Sequence, residues 1–441
     1  MSTVILSAAT KPSVRSLKAA LQAALVARGE TNVRVFELAT MKLAYCQGEF
    51  DCWVKTPGAC RSKDAEVEIV QAIHDAESLV LLDEVTFGGH SHTLKRAQDR
   101  LICLLSPFFE KRSALTHHGS RYDKAANLFA LGWMPRRQEA LVQTWMDLAD
   151  ANAVNMVAPH VGTAVVDDVT PEHWPKAIEA MLSSTQQPGD TIHARGPLTA
   201  ALRAAAEPAA LSTTPMAPRT AALLVGSPKH KGTSASEVMA RALALRLEQA
   251  GVTTQTHFAT EFVHDGDTAQ ASARAIAAAD VFILVTPLYV DAFPALTTHA
   301  LQLVASVRAG QARPSVFALV INCGFPEPEQ CRTAVAMARH FSDAAGYHWA
   351  GALPLGGGGV INPKEPLDKQ YGPVEHVKKA LDAAAPALAR GENIPASALE
   401  SMLVAPMPDV AYRIMGDLGW RYQAYAHGVA QAQLRARPLD V

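Results

Sequence analysis

The sequence has no long apolar run, almost no charge imbalance and few cysteines, and each shortage excludes something. No stretch approaches the roughly 20 consecutive apolar residues that a membrane-crossing helix needs. The N-terminus MSTVILSAATK also lacks a basic region leading into a long apolar segment, so a cytoplasmic protein without a membrane partner is expected. The formal net charge is -2, with no basic run of the kind that marks a nucleic-acid surface. No nucleic-acid partner is expected. Six cysteines are too few and too unevenly placed for a disulfide framework in 441 residues. What remains is an ordinary globular balance, 49% hydrophobic and 19% charged, in a chain too long for one compact domain. Two domains are therefore expected.

The most informative stretch is AALLVGSPKHKGTSASE, from Ala221 to Glu237. Leu223, Leu224 and Val225 read as a buried strand, Gly226 permits a tight turn, and Thr233, Ser234 and Ser236 bring hydroxyls to the start of a helix. The first N–H groups of a helix and its dipole favour a bound anion. Ser227 and Lys229 belong to the same loop. The spacing is neither the Gly-Lys-Ser/Thr phosphate loop nor the three-glycine dinucleotide fingerprint. A hydroxyl-lined loop of this type suits a phosphate monoester, while a plain turn with a Ser/Thr cap would have a similar composition.

Strands and helices alternate on both sides of a linker. The first half shows strands at Val4 to Leu6, Val33 to Leu38, Ser78 to Val85 and Thr163 to Val166, with helices expected near 14–27, 66–75, 91–105 and 138–151. Residues 183–218 are rich in Ser, Thr, Pro, Ala and Gln and read as a linker with a helical patch near Leu198 to Glu207. The alternation then restarts, with strands expected near 221–225, 252–256, 281–286, 316–322 and 351–355. Helices are expected near 236–250, 269–278, 295–307, 331–345 and 374–390. This order predicts two tandem α/β domains, 1–182 and 219–395, each a doubly wound parallel five-stranded sheet with helices on both faces. A ligand of such a sheet sits at the carboxyl ends of the strands, the flavodoxin-like plan. Residues 396–441 form a helical arm in which Trp420, Tyr422 and Tyr425 fall at helical spacing.

With these loops in order, the chain resembles the NAD(P)H-dependent FMN reductase family and its multimeric-flavodoxin and iron–sulfur-flavoprotein relatives. The matching segments are GSPKHKGTS, TPLYVDAFP, INCGFPEPEQC and LPLGGGGVI, all at expected strand ends. The resemblance implies FMN as cofactor and NADPH or NADH as reductant. It implies contacts to the isoalloxazine ring from Pro287, Leu288, Tyr289 and Val290, and backbone groups near the flavin from Asn322, Cys323, Gly324 and Phe325. Gly357 and Gly358 complete the set, with phosphate contacts from the loop residues named above. In the first half, Thr10, Ser13, Phe87, Gly88 and Gly89 occupy the corresponding places, although SAATKPSVRSL has no glycine and Thr86 stands where relatives often place an aromatic.

The segment from Tyr45 resembles the cysteine loop of the iron–sulfur relatives, but only Cys46, Cys52 and Cys60 are present. A four-thiolate cluster lacks its last ligand and the spacing fails the usual zinc patterns, so no metal is expected and the loop reads as a structural flap. Trp53 reads as a packing residue. His117, His118 and His160 read as surface or hydrogen-bonded residues, whereas His90 and His92 would face a flavin if the first half bound one. No residue is assigned a catalytic role, because FMN carries the chemistry and hydride transfer depends on positioning. The leading expectation is an FMN-dependent NAD(P)H oxidoreductase acting on a small acceptor such as a flavin or quinone, as a homodimer. An FMN carrier reduced by a partner, and a scaffold without a cofactor, are the alternatives; the first would oxidise nicotinamides slowly and the second would be colourless.

Overall fold

A computed structural model describes residues 2–190, 197–210, 218–310 and 313–440. The expected linker patch is a helix at Leu198–Ala206; the rest of that segment at 191–196 and 211–217 lies outside the described residues. The chain divides into two compact units, Met1–Gly196 with Arg413–Val441, and Pro197–Tyr412. Residues 396–441, grouped as one arm in the sequence reading, are shared between the units.

The first unit is built on β1 (Ser2–Ser7), β2 (Asn32–Glu37), β3 (Ser78–Glu84), β6 (Asn127–Met134) and β7 (Val161–Asp167), in the order β2-β1-β3-β6-β7. All neighbours in this sheet run parallel. A parallel sheet is covered on both faces, so its central strands must be apolar on both. Along β1 and β3 the side chains alternate accordingly. Val4, Leu6, Leu79 and Leu81 join one core with Ile69 and Ile73. Ile5, Val80 and Leu82 join the other with Leu17, Leu21 and Ile178. The edge strand β2 carries Arg34 and other polar residues, as an unpaired rim requires.

The sequence reading named four strands here and missed three. The helix expected over 91–105 stops at Gln98; a 3-10 turn follows, and Leu105–Arg112 is strand β4, paired antiparallel with β5, Leu115–Ser120. Their turn places Ser113 and Ala114 at left-handed φ without glycine or asparagine, so it lacks the usual sequence mark of a hairpin. The third missed strand is β6. Its Gly132 interrupts the apolar pattern because a Cβ there would stand 2.7 Å from Val85 and 3.0 Å from Trp145.

The second unit follows the expected plan closely. Its strands β8 (Thr220–Val225), β9 (Thr253–Phe258), β10 (Val281–Pro287), β11 (Val316–Asn322) and β12 (His348–Leu355) form an all-parallel sheet ordered β12-β11-β10-β8-β9. One face packs Leu223, Ile283 and Val320 against Leu243, Leu381 and their neighbours. On the other, Phe282, Phe317 and Phe341 form an aromatic stack with centroids 5.0–6.0 Å apart. Both units are flavodoxin-like α/β folds. The order in which strands are added reverses between β8 and β10, and the crevice beyond their carboxyl ends is where such a sheet takes a ligand. Among the described residues, no helix is long and apolar enough to cross a membrane.

Candidate functional site

Strand β8 ends at Val225 and the chain turns sharply at Gly226, whose N–H donates to Val285 O at 2.8 Å. A Cβ on Gly226 would stand 2.5 Å from Thr286 Oγ1 and 2.7 Å from Thr297 Oγ1, so only glycine fits. Thr297 Oγ1 donates to the Gly226 carbonyl at 2.6 Å and fixes the turn. The loop then delivers Ser234 as the cap of the helix Ala235–Gln249, its hydroxyl accepting from Glu237 N–H at 3.2 Å. The N–H groups of Ala235 and Ser236 have no intrahelical acceptor and face the loop. Thr233 is exposed, and its hydroxyl donates to His230 O at 2.6 Å. Ser227 is buried and accepts from Lys229 N–H at 3.3 Å.

Charge around this loop is mixed but mostly positive. Lys229, His230 and Lys231 lie on its outer side, with Lys231 Nζ 4.0 Å from the centre of the Phe258 ring. The buried Glu237 carboxylate turns inward, accepting from Gly232 N–H and pairing with Arg241. That carboxylate holds the loop in its bent form. An approaching phosphate thus meets a helix start, hydroxyls and basic side chains.

Asn322, at the end of β11, ties the other loops to this one. Its Oδ1 accepts from Ser236 Oγ at 2.9 Å, and its carbonyl accepts from Leu288 N–H at 2.8 Å. A Cβ on Gly358 would stand 2.6 Å from its Nδ2. The next residue, Cys323, donates its N–H to Leu355 O at 3.0 Å and accepts from Gly358 N–H at 2.8 Å, while Gly357 N–H reaches Phe325 O at 2.6 Å. Ser236, Leu288 and Gly358 of the expected set therefore meet at one buried amide. Cys323 Sγ is buried and donates to Phe325 O at 3.2 Å, inside its own loop.

The loop after β10 is a tight turn in which Tyr289 and Ala292 exchange backbone hydrogen bonds at 2.9 and 3.1 Å. Its two central residues, Val290 and Asp291, have φ of 48° and 58°. The left-handed region costs an L-residue roughly 1–2 kcal/mol, and a β-branched valine is poorly suited to it. Thr333 Oγ1 donates to the Asp291 carbonyl and clamps the turn. Pro287, Leu288, Tyr289 and Val290 are half-buried, a strained shelf at the crevice.

The equivalent positions of the first unit are arranged differently. Ala8 replaces Gly226 and makes the same bond, to Leu82 O at 2.9 Å. Thr86 and Gly89 form the same turn, with Phe87 and Gly88 at φ of 53° and 83°. Acidic groups then intrude. Ser13 Oγ donates to Asp168 at 3.2 Å, Trp133 Nε1 to the same carboxylate at 2.9 Å, and Lys11 pairs with Glu84. Thr10 is exposed, with its N–H folded back onto Ala8 O at 2.8 Å. His90 does not face a cleft: it is buried edge-on against Trp145, and burial pushes its pKa down to about 3. Beside it, burial pushes Asp83 up to about 8 despite hydrogen bonds from Ser91 and the Glu84 N–H.

The other histidines and cysteines singled out in the first unit are held by hydrogen bonds or partly buried. His118 Nδ1 donates to Pro107 O at 3.1 Å between Trp53 and Phe109, and burial lowers its pKa to about 3. His117 meets Asn155 Oδ1 at 2.7 Å and His160 meets Gln187 at 3.2 Å. Trp53 is buried, its Nε1 donating to Ile102 O and Leu105 O. Burial raises the Cys46 thiol and pushes Cys52 up to about 12. Among the described residues, no group of three or more His, Cys, Asp and Glu side chains is arranged to hold a metal ion.

A flavodoxin-like unit with a hydroxyl-lined turn at its switch point defines the class. Residues 219–325, from β8 to the loop after β11, match the family model described as NADPH-dependent FMN reductase. Among solved structures, a NAD(P)H:quinone oxidoreductase from Methanothermobacter marburgensis is similar at 16% identity and TM-score 0.29, over 40% of this chain and 98% of its own. An azoreductase from Bacillus anthracis str. Sterne is similar at 14% identity and TM-score 0.27, over 39% and 98%. An NADH:FMN oxidoreductase in its apo form is similar at 15% identity and TM-score 0.31, over 44% and 98%. No curated protein matches the chain.

One contributor escaped the sequence reading. Tyr412 reaches the same loops from 88 residues beyond Gly324. No local pattern marks it.

Proposed function

We propose that the second unit binds one FMN and that the protein is an NAD(P)H oxidoreductase reducing a small acceptor such as a flavin or quinone. The observation that carries this reading is the convergence of three strand-end loops and the helix start on Asn322. The residues fit the cofactor: Ala235 and Ser236 N–H groups, the Thr233 hydroxyl and Lys229 for the phosphate, and the Pro287–Asp291 shelf and open side of Gly324 for the ring. A Cβ on Gly324 would meet nothing within 4 Å, which leaves room beside it. Bound FMN would supply hydride acceptance from nicotinamide and onward electron transfer. The chain's part is to hold the ring against the shelf, keep the phosphate end fixed and leave one ring face open to the nicotinamide.

Glu84 and Asp168 at the corresponding place in the first unit support one FMN per chain, since carboxylates there oppose a phosphate. We read the location as cytoplasmic and the assembly as a homodimer. The exposed apolar residues Ile414, Leu418 and Tyr422 of the C-terminal helix support the latter. The test is anaerobic mixing of flavin-loaded protein with NADPH or NADH while following the flavin absorbance. Bleaching within seconds and recovery on adding a quinone is the expected result. A flavin-loaded protein reduced by neither nucleotide overturns the enzyme reading.

A further inference from the structure

Tyr412 closes the second unit's sequence. It lies in the first turn of the helix Asp409–Ala426, and its N–H bonds Pro408 O at 3.0 Å. Its hydroxyl donates to the Gly324 carbonyl at 3.1 Å. The ring edge packs on Gly357, where a Cβ would stand 3.1 Å from it, and the hydroxyl oxygen would be 3.3 Å from a Cβ on Gly359. Pro406 presses on Gly357 from the same side, at 2.7 Å from such a Cβ. One phenol therefore spans the loops that follow β11 and β12, which are also joined by backbone hydrogen bonds.

Gly357 has a left-handed φ of 67° and its place leaves no room for a side chain. Gly324 is exposed, a Cβ there would meet nothing within 4 Å, and the phenol's hydrogen bond holds its carbonyl. A trans peptide points its C=O and the following N–H in opposite directions. Holding the Gly324 carbonyl on the Tyr412 side thus sets the direction of the Phe325 N–H on the other. Burial raises the phenol's pKa above its usual value, and the nearby Cys323 thiol acts in the same direction, so the hydroxyl stays a donor at neutral pH.

We infer that Tyr412 is a positioning residue of the flavin site, fixing the Gly324–Phe325 peptide that borders the ring. This rests on the FMN reading above. The role belongs to a residue outside the segment matched by the family model, and it acts through the peptide with no chemistry of its own.

The test compares Tyr412→Phe, which removes only the hydroxyl, with Tyr412→Ala, which removes the ring as well. FMN affinity is read by quenching of FMN fluorescence on titrating apoprotein, the two-electron midpoint potential by dye equilibration, and folding of each apoprotein by near-UV circular dichroism. Loss of one hydrogen bond corresponds to about a tenfold change. Expected is a wild-type-like apoprotein spectrum for Tyr412→Phe, about tenfold weaker FMN binding, a shifted potential, and a larger loss of affinity for Tyr412→Ala. Affinity within twofold of wild type together with an unchanged potential in Tyr412→Phe overturns the assignment while leaving the FMN reading intact. Failure of the wild-type protein to bind FMN overturns both. Should Tyr412→Ala lose its folded spectrum, Tyr412→Phe alone decides.

Discussion

The two sheets share one strand order: Ala8 and Gly226 make the same bond to the neighbouring strand, and Thr86–Gly89 repeats the turn of Tyr289–Ala292. The loops on these strands differ. In the second unit glycine sits where Thr286 and Thr297 crowd the chain, and hydroxyls surround a helix start. In the first, alanine takes that place, the helix start has no side-chain cap, and Asp83 and Glu84 stand where the other unit has Thr286 and Pro287. The same scaffold thus carries a hydroxyl-lined helix start in one copy and a carboxylate-lined edge in the other. Architecture is shared; the site is a property of a few loop residues.

Four predictions break or sharpen this contrast. The largest effect belongs to Gly226→Val, which forces side-chain atoms onto Thr286 and Thr297. Fluorescence titration is expected to show FMN binding weakened about 100-fold, whereas Ala8→Gly in the first unit adds no flavin. Next comes Trp420→Ala. Trp420 packs T-shaped on Phe50 and Trp53 at 5.1 and 5.2 Å, so the first unit depends on the tail for part of its core. Urea unfolding should show a loss of about 3 kcal/mol; a loss below about 1 kcal/mol would mean the tail is not a packing element.

The third concerns pH. Asp83 has a folded pKa of about 8, far above the ordinary value near 4. Between those values the folded chain keeps a proton that the unfolded chain has released, so this group's contribution is full at low pH and is lost as pH rises towards 8. The slope is at most about 1.4 kcal/mol per pH unit. Asp83→Thr copies the second unit's Thr286 and should flatten the fall in stability between pH 5 and pH 8; an unchanged profile would exclude Asp83 as its source. The smallest effect is expected of Val290→Gly. Relief of the left-handed valine, less the entropy glycine adds to the unfolded chain, leaves about 0.5 kcal/mol of stabilisation. A destabilised Val290→Gly protein would show that the valine side chain matters more to the shelf than its strain.

The elements of the second unit were legible because its strands other than the polar edge strand β9 are largely apolar runs bounded by turn residues, and each strand lies within three residues of the expected start. Its loops were legible for the same reason, since parallel strands bring all their carboxyl ends to one edge. The first unit was less legible. Its hairpin turns without glycine, and Gly132 breaks the pattern of β6 for a packing reason that only the neighbouring Trp145 explains. Nothing in the string TPLYVDAFP signals that Val290 and Asp291 adopt left-handed backbone, because valine disfavours it. Tyr412 was invisible because its role depends on a contact across 88 residues.

The central claim is that one copy of the fold holds the cofactor and the other does not. The direct measurement is the amount of FMN released on denaturing flavin-saturated, desalted protein, expressed per polypeptide and repeated for Gly226→Val. The account predicts one FMN per chain in the wild type and close to none in the variant. Two per chain, or one retained in Gly226→Val, would place a flavin in the first unit and contradict it.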